Sequence, residues 1–185
     1  MYRTMKTITI TASVVLCALL MLRNAQAVTV PDYINTEISE AQLQGHGLLT
    51  WFGLKIYSAN LWVSKKNSSV QNILNHHFAL ELHYQRKLEG VEIAKVSIEE
   101  IKRLNIGTDA QQSTWLLSMK ALFPNVEKGS RLTGIHAPGE ATRFYKDGKF
   151  LGEITDPQFG TAFFSIWLDT KTREPALRQA LLGSK

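Results

Sequence analysis

The segment that most constrains the fold of this chain is a run of ten mainly apolar residues near its C-terminus, FGTAFFSIWL at 159–168. The apolar side chains at the spacing of one helical face are Phe159, Ala162, Phe163, Ile166 and Trp167. Phe164 and Leu168 are apolar too, but they lie off that face. A helix that is apolar on more than one side has to be buried on more than one side, so we expect the rest of the domain to pack around it.

The ends of this helix and of a second helix carry recognisable signals. Asp156 followed by Pro157 predicts the start of the first helix, with a capping carboxylate and a proline at the first helical position. Pro175 predicts the start of a short second helix, whose apolar face holds Leu177, Ala180 and Leu181. Gly183 is placed as its C-cap.

The middle of the chain predicts an antiparallel sheet interrupted by two helices. The expected strands are Leu43–Trp51, Leu54–Ser64, His77–Lys87, Arg131–His136 and Ala141–Lys146. The first two are expected to form a hairpin joined near Phe52-Gly53, and the Asp147-Gly148 turn predicts a second hairpin with another strand after it. The expected helices are Gly90–Leu104 and Asp109–Leu122, Val28–Ser39 is expected to be an edge strand or loop, and Ser64–Asn75 a polar loop. Apolar and polar residues alternate along His77–Lys87, which is typical of a half-buried strand. This order favours an α+β fold with helices packed mainly on one face of the sheet.

Residues 1–27 have the features of a signal peptide. Two cations precede the uncharged run Ile8–Leu22, and Ala25-Gln26-Ala27 forms an A-x-A cleavage site. The run of 15 residues is shorter than the ~20 that span a bilayer, so a cleaved leader is favoured over an uncleaved membrane anchor. We therefore expect one domain at 28–185 in the periplasm or secreted, with no transmembrane segment after cleavage.

The composition of the chain after this leader excludes several classes of function. The leader holds three of the 21 basic residues and none of the 16 acidic ones, so the remaining chain carries a net charge of only +2 and gives no reason to expect nucleic-acid binding. The single cysteine, Cys17, lies in the leader. The mature chain therefore has no disulfide, no thiolate nucleophile and no zinc–cysteine site.

Two blocks of sequence identify a resemblance. AFFSIWL followed by PALRQALLG, and GHGLLTWFGLKIYSANLWV at 45–63, resemble the corresponding blocks of the bacterial chalcone isomerase-like family. The resemblance covers essentially the whole chain after the leader. It implies an open-faced β-sandwich, with helices laid on a large antiparallel sheet.

The same resemblance implies where the catalytic groups of chalcone isomerases would fall. The arginine that follows the glycine of the first block is missing, because the corresponding segment contains His46 and no arginine. The strand threonine falls at Tyr57, and the helix tyrosine and asparagine fall near Ile93 and Glu100. The late hydroxyl falls at Ile166, or at Ser165 with a shift of one residue. An arginine would stabilise an anionic ligand or oxyanion, so we expect no catalytic residues for flavonoid isomerisation.

A pocket without that catalytic set would be an apolar and aromatic cavity with a few polar groups, which suits a small hydrophobic or amphipathic ligand. Because the resemblance extends to fatty-acid binders, we expect a fatty-acid-like or aromatic ligand and no cofactor. The predicted ligand-binding residues are Tyr57, Lys55, Trp51, Trp62, Tyr84, Ser165 and Trp167. Lys55, Arg103 and Arg131 are the candidate partners of an anionic group. We expect no guanidinium inside the pocket.

Two alternatives to a binder stay open at this point. The retained scaffold with Tyr57 and Glu100 fits an isomerase or intramolecular lyase with a different substrate. An interaction module whose apolar surface meets a partner or a membrane also fits the pattern.

The histidines and serines indicate neither a metal site nor a hydrolase. His77 and His83 lie on one predicted strand at an even offset, about 20 Å apart, which is too far for two ligands of one ion. No G-x-S-x-G motif is present, so a serine hydrolase is not expected.

Overall fold

Six strands form one sheet in a computed structural model of the chain, which describes residues 28–67 and 72–183. The strands are β1 (Ala41–Trp51), β2 (Leu54–Ser64), β3 (Phe78–Tyr84), β4 (Arg131–His136), β5 (Thr142–Lys146) and β6 (Lys149–Ile154). The helices are α1 (Asp32–Glu37), α2 (Gly90–Arg103), α3 (Asp109–Leu122), α4 (Phe159–Leu168) and α5 (Pro175–Leu182), and short 3-10 turns span Lys65–Asn67 and Ile73–Asn75. The predicted signal peptide, residues 1–27, lies outside the described residues.

Each strand of the sheet pairs antiparallel with the next strand along the chain, so the sheet is a simple meander from β1 to β6. Phe52 and Gly53 close the β1–β2 hairpin with φ angles of 47° and 76°. Asp147 and Gly148 close the β5–β6 hairpin with 51° and 81°. Positive φ at both central residues is the geometry of a type I′ turn, whose twist matches that of the flanking strands. Both predicted hairpins are confirmed.

The two faces of the sheet are covered unequally. The larger core lies between one face and the helices α2, α3, α4 and α5, and the smaller one lies between the other face and α1. The predicted α+β architecture, with helices mainly on one side of an antiparallel sheet, is therefore confirmed.

Helix α4 lies inside the larger core, as its apolar pattern predicted. Phe159 and Phe164 are fully buried, and the aromatic rings of α4 pack against aromatic rings from the rest of the domain. The ring centroids of Phe163 and Phe144 are 5.4 Å apart, and those of Phe164 and Phe78 are 5.0 Å apart. Such edge-on pairs stabilise by about 1 kcal/mol each beyond the burial of their area.

The predicted start of α4 at Asp156-Pro157 is wrong by two residues. The helix begins at Phe159, because the Asp156 carboxylate closes a tight turn by accepting a 2.9 Å hydrogen bond from the backbone N–H of Gln158. The other carboxylate oxygen accepts a 2.8 Å bond from the indole N–H of Trp115 on α3. Asp156 thus joins α3 to the turn before α4 rather than capping the helix.

Helix α5 lies directly on β1 and requires glycine there. A Cβ atom at Gly45 would stand 2.2 Å from the carbonyl oxygen of Ala180, a distance that no real contact reaches. The predicted C-cap is confirmed, since Gly183 ends α5 in the left-handed conformation with φ of 69°.

On the face of the sheet that α1 covers, two predictions are wrong. The segment expected to be an edge strand or loop contains α1, which buries Ile34 and, just beyond its end, Ile38. Strand β3 is consequently buried on both faces rather than on one. Its Glu81, which alternation placed on a solvent-facing side, is 1% exposed. The carboxylate accepts hydrogen bonds from Tyr33 at 3.0 Å and from Asn60 and Trp62 at 3.2 Å, which offsets the cost of burying it.

Candidate functional site

A cavity of about 460 Å³ lies between the larger-core face of the sheet and helices α2 and α4. Side chains of β1, β2 and β3 line it on one side, and those of α2, α4 and the segment that follows α4 line it on the other. The apolar and aromatic lining residues are Leu49, Trp51, Ile56, Tyr57, Leu82, Tyr84, Leu88, Ile93, Val96, Leu132, Phe163, Ile166 and Trp167. The polar lining residues are Ser97, Glu99, Glu100, Thr172, Arg173 and Glu174. This is the mainly apolar composition of a small-molecule site.

Two tyrosines on neighbouring strands supply hydrogen-bonding groups on the sheet side of the cavity. Tyr57 of β2 pairs directly with Tyr84 of β3, and their rings meet edge to face with centroids 5.7 Å apart. The Tyr57 oxygen accepts a 2.8 Å hydrogen bond from the indole N–H of Trp167 on α4. In the described part of the chain the Tyr84 hydroxyl has no hydrogen-bond partner. Each phenol therefore keeps a proton that it can donate to a ligand.

Burial keeps both phenols in their protonated form. Burial raises the pKa of Tyr57 far above its ordinary value, although the hydrogen bond from Trp167 opposes part of this rise. Burial also raises the pKa of Tyr84, and the neighbouring Tyr57 adds to the effect. The two hydroxyls are therefore donors at any physiological pH, rather than anions that could act as bases.

A charged cluster lies at the rim of the cavity. Glu100 of α2 forms ion pairs with Arg103 at 2.8 Å and with Arg173 at 3.1 Å. Arg103 also donates to the carbonyl oxygen of Lys171 at 3.0 Å, which ties the segment after α4 to α2. With Glu99 and Glu174 also on the rim, three carboxylates face two guanidiniums there. An anionic ligand would have to compete with Glu100 for these arginines, so the rim is a poor carboxylate site compared with the two free phenols.

Residues 23–183 match the family model described as chalcone isomerase-like. The chain belongs to this family. Among solved structures, it is similar to a fatty-acid binding protein of Arabidopsis thaliana, with a TM-score of 0.63 and 14% sequence identity over 78% of this chain and 87% of that chain. At this identity the likeness shows a shared fold. Curated protein sequences include no match to the chain.

The positions of this chalcone isomerase-like chain that were aligned with the catalytic set converge in the structure. Tyr57, Ile93, Glu100 and Ile166 all line the cavity. In contrast, no residue of Gly45–Leu48, the segment that corresponds to the family's arginine, lines the cavity. Gly45 and Gly47 of β1 lie on the same face of the sheet but under α5, where they present no side chain. The positions to which the resemblance assigns the family's threonine, tyrosine, asparagine and late hydroxyl thus line one cavity, although none of the four carries the family's residue here.

Four of the seven predicted ligand-binding residues line the cavity, namely Trp51, Tyr57, Tyr84 and Trp167. The other three lie elsewhere. Trp62 is on the opposite face of the sheet, where its indole N–H donates to Glu81. Ser165 is buried in α4 and donates to the carbonyl oxygen of Thr161 at 2.7 Å.

Lys55 is displaced from the cavity by an irregularity in the pairing of the hairpin. Leu49 pairs with Tyr57 but Thr50 pairs with Lys55, so Ile56 is an extra residue in β2. Ile56 and Tyr57 both line the cavity, and the alternation of faces is reversed beyond them. Lys55 therefore lies on the other side from Tyr57, although their even spacing predicted a shared face.

The structure also corrects the predictions about arginines near the cavity. Arg131 lies on the opposite face, 4.0 Å from Glu81, and Arg103 pairs with Glu100 beside the cavity. The expectation that no guanidinium reaches the cavity is wrong at the rim, where Arg173 is a lining residue. Sequence reasoning missed Arg173 because it stands in the polar segment TKTRE before Pro175, where an arginine usually is a solvated loop residue.

No group of three or more histidine, cysteine, aspartate or glutamate side chains in residues 28–67 and 72–183 could hold a metal ion. No helix in the same ranges has the length and apolar character to cross a bilayer.

Proposed function

We propose that this chalcone isomerase-like protein is a non-catalytic binder of a fatty-acid-like molecule, held in the cavity between the sheet and helices α2 and α4. The observation that carries the proposal is the pair of phenol donors, Tyr57 and Tyr84, in the wall of a mainly apolar cavity of about 460 Å³; neither donates its proton to another residue in the part of the chain that the structure describes. That volume lies within the range of roughly 300–1,000 Å³ that is usual for small-molecule sites. The likeness to a fatty-acid binding protein supports the same ligand class.

The arrangement suits an elongated ligand with a hydrogen-bond acceptor at one end. The acceptor end, a carboxyl or carbonyl oxygen, takes the two phenol protons of Tyr57 and Tyr84. The hydrocarbon end lies against Leu82, Leu132 and Phe163, which line the same cavity. Each methylene moved from water into this lining stabilises the complex by about 0.8 kcal/mol, so the hydrocarbon supplies most of the affinity.

A chain-length series tests this proposal. Ligand-free protein is titrated by calorimetry with saturated fatty acids of increasing length, and native mass spectrometry identifies what co-purifies with the untreated protein. The affinity is expected to rise about fourfold per methylene until the cavity is full and then to level off. Saturable binding of flavonoid-like phenols but of no fatty acid would assign the cavity to the aromatic class instead. No saturable binding of either class would contradict the proposal.

We also propose that the protein is exported and processed near Ala27. The support is the charge and hydropathy pattern of residues 1–27. The intact mass of the protein from a periplasmic or culture-medium fraction tests it, with a mature chain that starts at Val28 as the expected result. A full-length mass in the cytoplasmic fraction would contradict it.

A further inference from the structure

The β1–β2 hairpin projects beyond the rest of the sheet. Pairing between β2 and β3 ends at Tyr57 and Tyr84, whereas pairing between β1 and β2 continues to Trp51 and Leu54. Phe52 of the turn is three residues from Leu49, the partner of Tyr57, so the turn lies about 10 Å past the end of that ladder. We call residues 51–54 the hairpin tip.

The hairpin tip exposes three large apolar side chains on four residues. Trp51 is 64% exposed, Phe52 87% and Leu54 51%. The rings of Trp51 and Phe52 contact each other, with centroids 4.8 Å apart. An apolar group of this size, clustered on a projecting turn, is the kind of surface that meets a partner or a membrane.

Phe52 occupies a backbone position that disfavours it. Its φ of 47° is left-handed, and a type I′ turn favours asparagine, aspartate or glycine at this position because a bulky side chain is strained there. Its 87% exposure shows that packing within the described part of the chain gives little in return. A strained residue that the fold itself does not need points to a function outside the fold.

Positive charge lies next to the hairpin tip. The backbone N–H of Gln85 donates to the carbonyl oxygen of Ile56 at 2.8 Å, which places the segment after β3 beside the tip. Lys55, Arg86 and Lys87 are exposed there, and none of the three takes part in an ion pair in the part of the chain that the structure describes. Tryptophan and phenylalanine beside lysine and arginine are typical of segments that sit at a bilayer surface, where the rings enter the headgroup layer and the cations meet lipid phosphates.

The hairpin tip is continuous with the mouth of the cavity. Trp51 belongs to the tip and also lines the cavity. Val96 of α2, another lining residue, is 58% exposed and extends the apolar rim. The rim acids Glu99 and Glu174 belong to α2 and to the segment before α5, whereas Lys55, Arg86 and Lys87 lie beside the tip. A membrane or partner that contacts the hairpin tip therefore lies next to the mouth of the cavity.

We propose that the hairpin tip docks this protein on the surface of an anionic lipid bilayer. Trp51, Phe52 and Leu54 enter the headgroup layer, while Lys55, Arg86 and Lys87 contact lipid phosphates. The mouth of the cavity then opens beside the membrane, where a fatty-acid-like ligand can enter or leave. The docking stands on the tip and its charges, whereas the exchange of ligand rests on the proposed function.

Flotation with vesicles of phosphatidylglycerol and phosphatidylcholine tests the docking on ligand-free protein. Trp51 is the exposed indole, while Trp62, Trp115 and Trp167 are buried, so a blue shift of tryptophan emission on vesicle addition reports insertion of the tip. Phe52→Asn is the informative variant, since asparagine suits the turn and the fold should be at least as stable. We expect its vesicle affinity to fall tenfold or more, since burial of a phenylalanine side chain contributes roughly 1.5–3 kcal/mol. Leu117→Gln on α3 is the matched control, because it removes an apolar side chain that is 69% exposed outside the tip, and it should bind like the wild type.

The results separate this inference from the proposed function. Ligand binding is measured in solution without vesicles, so loss of fatty-acid binding with intact vesicle docking would contradict the function and leave the docking in place. Absence of flotation with anionic vesicles, or equal binding of Phe52→Asn and wild type, would overturn the docking. Concentration-dependent dimerisation that Phe52→Asn abolishes, without vesicle binding, would overturn it too and assign the tip to self-association.

Discussion

The phenolic oxygen of Tyr57 on β2 accepts a 2.8 Å hydrogen bond from the indole nitrogen of Trp167 on α4, a residue 110 positions later in the chain. The bond ties the sheet to the helix across the cavity. It also satisfies the indole N–H while leaving the phenol proton free. One contact therefore holds the cavity together and sets the direction from which a ligand can accept a hydrogen bond.

Tyr57→Phe is expected to weaken both the fold and the binding of a ligand. The substitution leaves the buried indole N–H of Trp167 without its acceptor, so the free energy of unfolding should fall by about 1–2 kcal/mol. Loss of one donor to the ligand should lower fatty-acid affinity about fivefold. Urea unfolding and calorimetric titration measure the two effects.

Tyr84→Phe provides the matched control for this pair. Its hydroxyl has no hydrogen-bond partner in the described part of the chain, so the free energy of unfolding should change by less than about 0.5 kcal/mol. Ligand affinity should nevertheless fall about as much as in Tyr57→Phe. A variant that keeps full affinity would show that the ligand does not reach the Tyr84 hydroxyl.

Gly45→Ala should destabilise the protein strongly. The added Cβ would stand 2.2 Å from the backbone oxygen of Ala180, so α5 would have to move, at a cost of about 3 kcal/mol. Gly47→Ala is the graded comparison. Its Cβ would meet the flexible end of Leu177 at 2.5 Å, which can turn away, and we expect a loss of about 1 kcal/mol. Thermal unfolding of both variants measures the difference, and equal losses would contradict the seating of α5 on Gly45.

Acid should weaken the fold partly through Glu81. Burial alone would raise the pKa of this carboxyl, but the His83 ring nitrogen 3.0 Å away and the hydrogen bonds from Asn60 and Tyr33 outweigh burial and hold the pKa below its ordinary value of 4.5. A pKa that is lower in the folded state stabilises the fold above pH 4.5, and this contribution is lost as the pH falls through the folded value. Glu81→Gln should therefore lower stability at pH 7 by about 2 kcal/mol and by less at pH 3.

The difference in the free energy of unfolding between Glu81→Gln and wild type separates the effect of this carboxyl from that of another acid-sensitive group. Burial lowers the pKa of His136 below its ordinary value of 6.5, so protonation of this histidine also destabilises the fold in acid. That effect is common to both proteins and cancels in the difference. Denaturant unfolding at pH 7, 5 and 3 measures it, and a pH-independent difference would contradict the assigned role of Glu81.

A panel of enone phenols tests the alternative that this chain is an isomerase with a different substrate. We expect no change in absorbance beyond the uncatalysed rate, because the segment that corresponds to the family's arginine, Gly45–Leu48, contains no arginine and both cavity tyrosines stay protonated. Tyr57→Phe serves as the control. A turnover that this substitution abolishes would establish catalysis and contradict the binder.

Much of the fold is readable from local pattern, because strand alternation, helical periodicity and turn chemistry act over a few residues. The aromatic run at 159–168 predicts a helix buried on several sides, and the short spacing at Phe52-Gly53 and the Asp147-Gly148 turn predict two hairpins. Tyr57, Tyr84, Trp51 and Trp167 are predicted as pocket residues because the family resemblance implies a pocket and these residues place rings on the elements around it.

The residues that the sequence misplaced depend on contacts between distant segments. An extra residue at Ile56 turns Lys55 away from the cavity, and a helix some forty residues earlier buries the face of β3 that carries Glu81. Arg173 reaches the rim because its partner Glu100 lies on another helix. Periodicity shows which side chains share a face, but the pairing register and the neighbouring elements decide what covers that face. The apolar segments and turns can therefore be predicted from the sequence. The cavity, its two phenol donors and its charged rim exist only once the sheet and helices are assembled.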